Sequence, residues 1–263
     1  MKTKRSSIIL IALLTLTTLM LSACSVQDPT KTNGNFFQHY LVHPLWIFIK
    51  SVADLFSGSY GLAIILVTII IRLILMPLML RQYKNQMVMK EKMDVLKPEM
   101  DAIQKKMKVE KDPKKKQELQ SELMGLYSKH GVNPLNMGCL PLLIQMPILT
   151  AFYYAIRGSK EIAHHQFLWF SLGHPDIFIT ALAGVIYYFQ FKVSQSNMPS
   201  AQQQQMKFMG LMSPVMIVMF SLKSPAALPL YWVVGGTFLT IQTLISHKLY
   251  TSKKVAEVPV KQK

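Results

Sequence analysis

The chain has 263 residues, of which 51% are hydrophobic, and 29 Lys plus Arg stand against 13 Asp plus Glu for a formal net charge of +16. So apolar a composition excludes a disordered chain and an ordinary soluble domain, and it places the protein among integral membrane proteins with one membrane domain. In a soluble protein the basic excess would suggest nucleic acid; here the lysines sit beside apolar runs, where membrane orientation and anionic lipid account for them.

Residues 1–23 read as an export signal of the lipoprotein kind: Lys2, Lys4 and Arg5 form a basic start, residues 8–21 are apolar, and Leu21-Ser22-Ala23-Cys24 resembles the box cut before a lipid-modified Cys. Cys24 is the expected palmitate-bearing residue, on the outer face. Cys139 is the second of only two cysteines and falls inside an expected span, so no disulfide framework exists. Residues 24–57 form an outer-face segment whose apolar positions, from Phe36 to Phe56, recur at mostly helical spacing around Pro44 and predict an amphipathic helix lying in the interface.

A five-helix core is expected over 58–250. Its spans fall at about 58–80, 135–156, 177–191, 206–222 and 228–247. The third and fourth, at roughly 22 to 25 Å, are short against a hydrocarbon core of about 30 Å and predict a thinned bilayer. Pro77, Pro141, Pro147 and Pro214 should bend the spans that contain them. Between Arg81 and Asn133 stand thirteen Lys plus Arg, and the basic tail over 251–263 adds more, so both read as cytoplasmic. An odd number of spans then agrees with a lipid-anchored amino terminus outside.

Residues 82–133 predict a cytoplasmic helical hairpin. Met89, Met93, Leu96, Met100, Ile103 and Met107 step by four and three, and Leu119, Leu123 and Leu126 resume the pattern after Lys111-Asp112-Pro113. Pro98 should kink the first arm. Two readings of the seam stand side by side: a connector that buries its own apolar side chains, and a docking arm in which Met93, Leu96, Met100, Ile103 and Met107 meet hydrophobic clients, methionine being adaptable.

Arg72 is the most informative residue. It lies within an apolar run over 61–80 that contains no carboxylate, and eight of the thirteen acidic residues lie between Glu91 and Glu122. A guanidinium does not deprotonate in proteins, and burying it alone costs several kcal/mol, of order. The chain supplies no intramembrane counter-ion, so Arg72 is expected to face a wet cavity and to meet anions that come from elsewhere. Snorkelling to one surface is the competing reading, but about eight residues separate Arg72 from the nearer end of the run, farther than a side chain reaches.

Other polar side chains in the spans are few: Thr68, Gln145, Gln190, Ser213, Thr237, Thr240 and Gln242. Each glutamine alone is adequately explained as a bond to a neighbouring helix; together with Arg72 they predict a hydrophilic groove. Catalytic constellations are missing: no phosphate-cradling loop, no Gly-x-Ser-x-Gly, no paired intramembrane carboxylates, and no metal-ligand spacing beyond the adjacent His164 and His165. No enzyme, no cofactor and no metal are expected.

Several long stretches carry a resemblance. They are the run from Tyr60 to Leu78, Gly131-Val-Asn-Pro-Leu135 leading into Gly138-Cys-Leu-Pro-Leu-Leu-Ile-Gln-Met-Pro-Ile148, Phe167-Leu-Trp-Phe170, and the run from Pro225 to Val234. With these motifs in this order the sequence resembles the YidC/Oxa membrane protein insertases, in the shorter five-span lipoprotein form of Gram-positive bacteria. The resemblance implies an all-α polytopic fold, with five transmembrane helices around a hydrophilic, positively charged groove. It implies Arg72 as the groove arginine and Gln190 as the third-span groove glutamine; the family's late fifth-span aromatic has no clear counterpart, since Leu244 and Ile245 stand there, and Trp232, earlier in that span, takes a groove or interface role, while Gln145 and Gln242 join the lining from their own place in the spans.

The resemblance also implies a mechanism in the bacterial cell membrane. Nascent small membrane proteins with acidic outward segments enter the groove, and their apolar helices then slide into lipid; the Sec translocon and the ribosome are candidate partners. An anion-selective transporter or channel is the alternative, in which Arg72 would select anions. Against it stand the large cytoplasmic hairpin, which a pore does not require, and the lack of an inverted repeat.

Overall fold

The computed structural model describes residues 36–132, 139–195 and 200–252. Cys24, the signal segment and the basic tail over 253–263 lie outside these residues. The described elements are helices α1 (His43–Leu55), α2 (Tyr60–Val109), α3 (Pro113–Lys129), α4 (Cys139–Arg157), α5 (Lys160–Ala163), α6 (Ile177–Gln195), α7 (Ser200–Ser221) and α8 (Ala227–Ser252), with a two-stranded hairpin of β1 (Gln166–Phe167) and β2 (Phe170–Ser171). The five expected apolar segments fall on α2, α4, α6, α7 and α8, with 135–138 of the second lying outside the described residues. Among the described residues Tyr60–Val109, Ile177–Gln195 and Ala227–Tyr250 are long and apolar enough to cross a membrane, and Gly210–Ser221 is a shorter apolar helix.

The helices of the third and fourth segments outrun their apolar runs. α6 has 19 residues, about 28 Å, and α7 has 22, although only about 18 Å of α7 belongs to the apolar Gly210–Ser221 portion. The shortfall in apolar length therefore sits mainly on α7. Contacts divide the chain into two compact units that share α2, α4, α6, α7 and α8.

The first unit comprises the described parts of Met1–Ile70, Leu143–Leu182 and Val218–Val234. A π-helical turn, Gln38–Val42, leads into α1, and Pro44 falls in the first turn of α1, where its missing N–H is not needed, so it starts the helix rather than interrupting it. Val42, Ile49, Val52 and Ala53 are buried while Ile47, Phe48 and Leu55 are exposed. The helix is thus apolar on both its buried and its exposed sides. It stops at Phe56 and Ser57, and Gly58, in the left-handed region (φ 83°), returns its N–H to the Ala53 carbonyl at 2.8 Å.

Polar groups gather on the loop after α4. Glu161 accepts from Lys50 Nζ at 3.0 Å and from the Tyr60 hydroxyl, and Trp46 Nε1 donates to Ser159 Oγ at 3.4 Å. These bonds tie α1 and the head of α2 to α5 and the residue before it. The paired Tyr60 hydroxyl, and then Lys50, hold the Glu161 carboxyl below the usual carboxylate range. Asp176 caps α6 by accepting from Ile179 N at 2.9 Å, and the N–H groups of Ala226 and Ala227 bond the carbonyls of His174 and Leu172, both at 3.0 Å, ahead of α8. The β-turn leaves Leu168 and Trp169 exposed, with Leu168 at φ 54°.

The second unit comprises the described parts of Ile71–Leu142, Ala183–Ile217 and Gly235–Lys263. α2 runs unbroken through Pro77 and Pro98, so the first span and the first hairpin arm are one helix of 50 residues, where the sequence suggested two elements. Asp112 Oδ1 caps α3 by accepting from Lys114 N at 2.9 Å, which turns the chain back after the Lys111-Asp112-Pro113 breaker. Met93, Leu96, Met100 and Val132 form a buried cluster with Met89, Leu123, Leu126 and Tyr127 packed on it. Elsewhere in this unit Gly236 of α8 meets Ile186 and Tyr187 of α6, an approach that only a residue without Cβ permits.

Candidate functional site

α2 places Arg72 twelve residues beyond Tyr60, two residues inside the second unit. Its side chain is half-buried. The guanidinium lies over Gly235 of α8: a Cβ built on that glycine would stand 3.1 Å from Nη2, 3.6 Å from Nε and 3.7 Å from Cζ. Gly235 therefore makes room for the cation. Among the described residues Arg72 has no ion pair and no hydrogen bond. The nearest acid along its own helix, Glu91, is nineteen residues on, about 28 Å away along the axis.

Gln190 of α6 is half-buried and Gln242 of α8 is buried, both in the same unit as Arg72. Hydroxyls on α8 are satisfied within the helix: Thr240 donates to the Gly236 carbonyl and Thr243 to that of Leu239, each at 2.8 Å, and Ser246 to that of Gln242 at 2.7 Å. They do not compete for the guanidinium. Thr68 likewise donates to the Ile64 carbonyl at 2.6 Å, inside the first unit. Two other expected groove residues also belong to that first unit. Gln145 donates through Nε2 to the Tyr231 hydroxyl at 2.9 Å, and Tyr231 stacks on Phe152 with centroids 4.4 Å apart, so this glutamine joins α4 to α8. Trp232, one residue further, is buried at 7% exposure.

The hairpin residues are placed differently from a docking surface. Met93, Leu96, Met100 and Ile103 are 2 to 7% exposed and serve the hairpin, with the first three in its core cluster; Met107 alone of the five expected docking residues is half-buried. The second arm already occupies the seam, because its leucines repeat at the same spacing and cover it. Of the two readings the sequence left open, self-burial is the one these four side chains adopt. Sequence reasoning missed Gly235 and Tyr231. The adjacent Gly235-Gly236 inside a span was the available signal for the first, since paired small residues mark close helix approach.

A family model described as 60Kd inner membrane protein matches residues 51–254, more than half of the 263. The chain belongs to that family. Within the 60Kd inner membrane protein family it is 51% identical over 250 residues to membrane protein insertase YidC 2 of Listeria monocytogenes serotype 4b (strain F2365), covering 95% of this chain and 90% of that one. It is 50% identical over 234 residues to membrane protein insertase MisCB of Bacillus subtilis (strain 168), covering 86% and 85%. To membrane protein insertase YidC of Staphylococcus aureus (strain JH9) it is 41% identical over 252 residues, covering 92% and 84%. The expected family and the all-α membrane fold are thereby established, and membership in this family places the chain in the bacterial plasma membrane with nascent membrane proteins as its clients. Insertases of this family are not enzymes in the ordinary sense, and the anion-transporter alternative finds no support among these relatives.

Proposed function

We propose that this membrane protein insertase admits the hydrophilic outward segment of a client to a groove where Arg72 meets the client's carboxylates, and then releases the client's apolar helix into lipid. The half-buried guanidinium without a protein counter-charge, resting on Gly235, is the observation that supports this most directly. An acid leaving water loses solvation; a fixed cation nearby offsets part of that loss, about 4 kcal/mol at 4 Å with an effective dielectric constant near 20. Release into lipid follows from apolar burial at about 25 cal/mol per Å². Gln190 and Gln242, in the same unit as Arg72, supply neutral lining. No step consumes a nucleotide or forms a covalent bond within the chain.

The remaining organisation follows the charge pattern. Residues 1–23 are a lipoprotein signal, Cys24 carries lipid on the outer face, and α1 lies on the outer leaflet. The hairpin and basic tail are cytoplasmic, within reach of the ribosome, and the chain acts alone or beside the Sec translocon. Any client contact through the methionine seam requires the two hairpin arms to part.

The test uses the purified full chain in vesicles with a single-span client whose outward tail carries two acids. Arg72→Ala should abolish its insertion and Arg72→Lys should retain it. Equal insertion by the two variants would overturn the proposal.

A further inference from the structure

Ten residues beyond Arg72 on α2, the structure holds buried polar atoms that the insertion step at Arg72 does not use. Gln82 is 7% exposed, and neither Oε1 nor Nε2 has a hydrogen-bond partner among the described residues; the hydroxyl of Tyr83 beside it is also buried and unpaired. The Tyr83 ring stacks on that of Tyr250 near the end of α8, with centroids 6.3 Å apart and planes at 30°. All of these residues belong to the unit that contains Arg72 and Gly235. Exposed Arg81 and Lys84 flank the pair.

Helix geometry connects this cluster with the cation. Tyr83 follows Arg72 by eleven residues, about three turns, so it lies on nearly the same face, roughly 20° round and 16 Å along. Gln82, one residue earlier, projects about 100° round the helix from Tyr83 and so flanks the same face from its other side. Buried amide and hydroxyl groups are kept only where something satisfies them, because an unmet group loses its bonds to water and gains none in return. The group that meets these atoms has to offer both a donor and an acceptor, without charge. A primary amide presents one of each, as does every peptide unit.

We propose that Gln82 and Tyr83, with Tyr250 as the stacking support, form a neutral binding station for the main chain of an extended client, preceding Arg72 on the route into the groove. This rests on the insertion reading given above and adds a division of labour. Arg72 reads the client's acids, whereas the Gln82–Tyr83 station pairs with backbone amides and is indifferent to side-chain charge.

The experiment measures insertion in vesicles by Gln82→Met and Tyr83→Phe, each close to its parent in volume, using the single-span client with two tail acids and the same client with both changed to amides. Thermal midpoints are recorded alongside, and Arg72→Ala serves as the reference. Each substitution should lower insertion about three- to tenfold for both clients, the worth of a neutral hydrogen bond, with the midpoint unchanged or raised because an unmet polar group has been removed. Arg72→Ala should affect the acidic client alone. If Gln82→Met and Tyr83→Phe insert both clients at the parent rate, or if they lower the midpoint in proportion to the lost insertion, the station is a structural feature and the proposal is wrong. Full insertion by Arg72→Ala would instead overturn the underlying reading.

Discussion

Gly235 offers a way to move the Arg72 charge without removing it. A methyl at position 235 would lie 3.1 Å from Nη2, a few tenths of an ångström inside ordinary carbon–nitrogen contact at about 3.5 Å. The guanidinium ends a flexible side chain and yields by that amount, while alanine gains up to about 1 kcal/mol of helix propensity over glycine. Gly235→Ala should therefore leave stability level or slightly raised and change insertion less than twofold. Valine adds two further carbons where the guanidinium rests and displaces it by roughly 1.5 Å. Moving a carboxylate–guanidinium pair from 4 to 5.5 Å at an effective dielectric constant of 20 weakens it from about 4.2 to about 3.0 kcal/mol, a factor of roughly seven in rate. Insertion of an acidic-tailed client into vesicles is the assay, with an amide-tailed client as control. In the Arg72→Ala background Gly235→Val should have no further effect, as expected of residues acting through one group. Equal slowing of both clients by Gly235→Val, or no slowing of either, would refute the argument.

Three further outcomes follow from the same contacts. The Glu161 carboxyl is held below its ordinary value of 4.5 by Tyr60 and Lys50, so its contribution to stability is present above that value and disappears as pH falls through the lower folded value. A thermal midpoint that falls with acid in the parent should fall less in Glu161→Gln; the size is modest, because the Lys50 and Glu161 side chains are 39% and 47% exposed. Leu96→Ala removes a side chain that is 2% exposed at the hairpin core and should cost about 2 to 4 kcal/mol there, seen as faster hydrogen exchange over 113–129 with exchange in α6 unchanged. A Cβ on Gly173 would collide with the backbone carbonyl of Ala163, which cannot rotate away, so Gly173→Ala should lower the thermal midpoint by several degrees where Gly125→Ala, with open space around it, does not.

The membrane-spanning segments were legible because a 20-residue apolar run has few other physical meanings, and the lone arginine was legible because the absence of a carboxylate is visible in the sequence itself. The hairpin seam was legible as a period but not in its occupant, since the same spacing serves a client and a second arm equally well. Continuity was hidden at Pro77 and Pro98: each removes one ladder bond, yet the flanking turns carry α2 through as one helix. Pairings between distant segments stayed hidden. Gln145 and Tyr231 are 86 residues apart, and nothing local in either segment announces the other. Arg72 and Gly235 are the same case, with the useful partner being a residue that contributes only empty space.

The unbroken ladder from Arg72 to the hairpin core fixes an angular phase as well as a distance. Leu96 lies twenty-four residues beyond Arg72, about 36 Å along a single helix. One residue added near position 85 would rotate the whole arm by about 100° about the helix axis and advance it by about 1.5 Å relative to the cation. Four added residues would bring it back to within about 40° at the expense of about 6 Å. The bearing of the hairpin arm is thus geared to the guanidinium by residue count, as teeth on a common shaft.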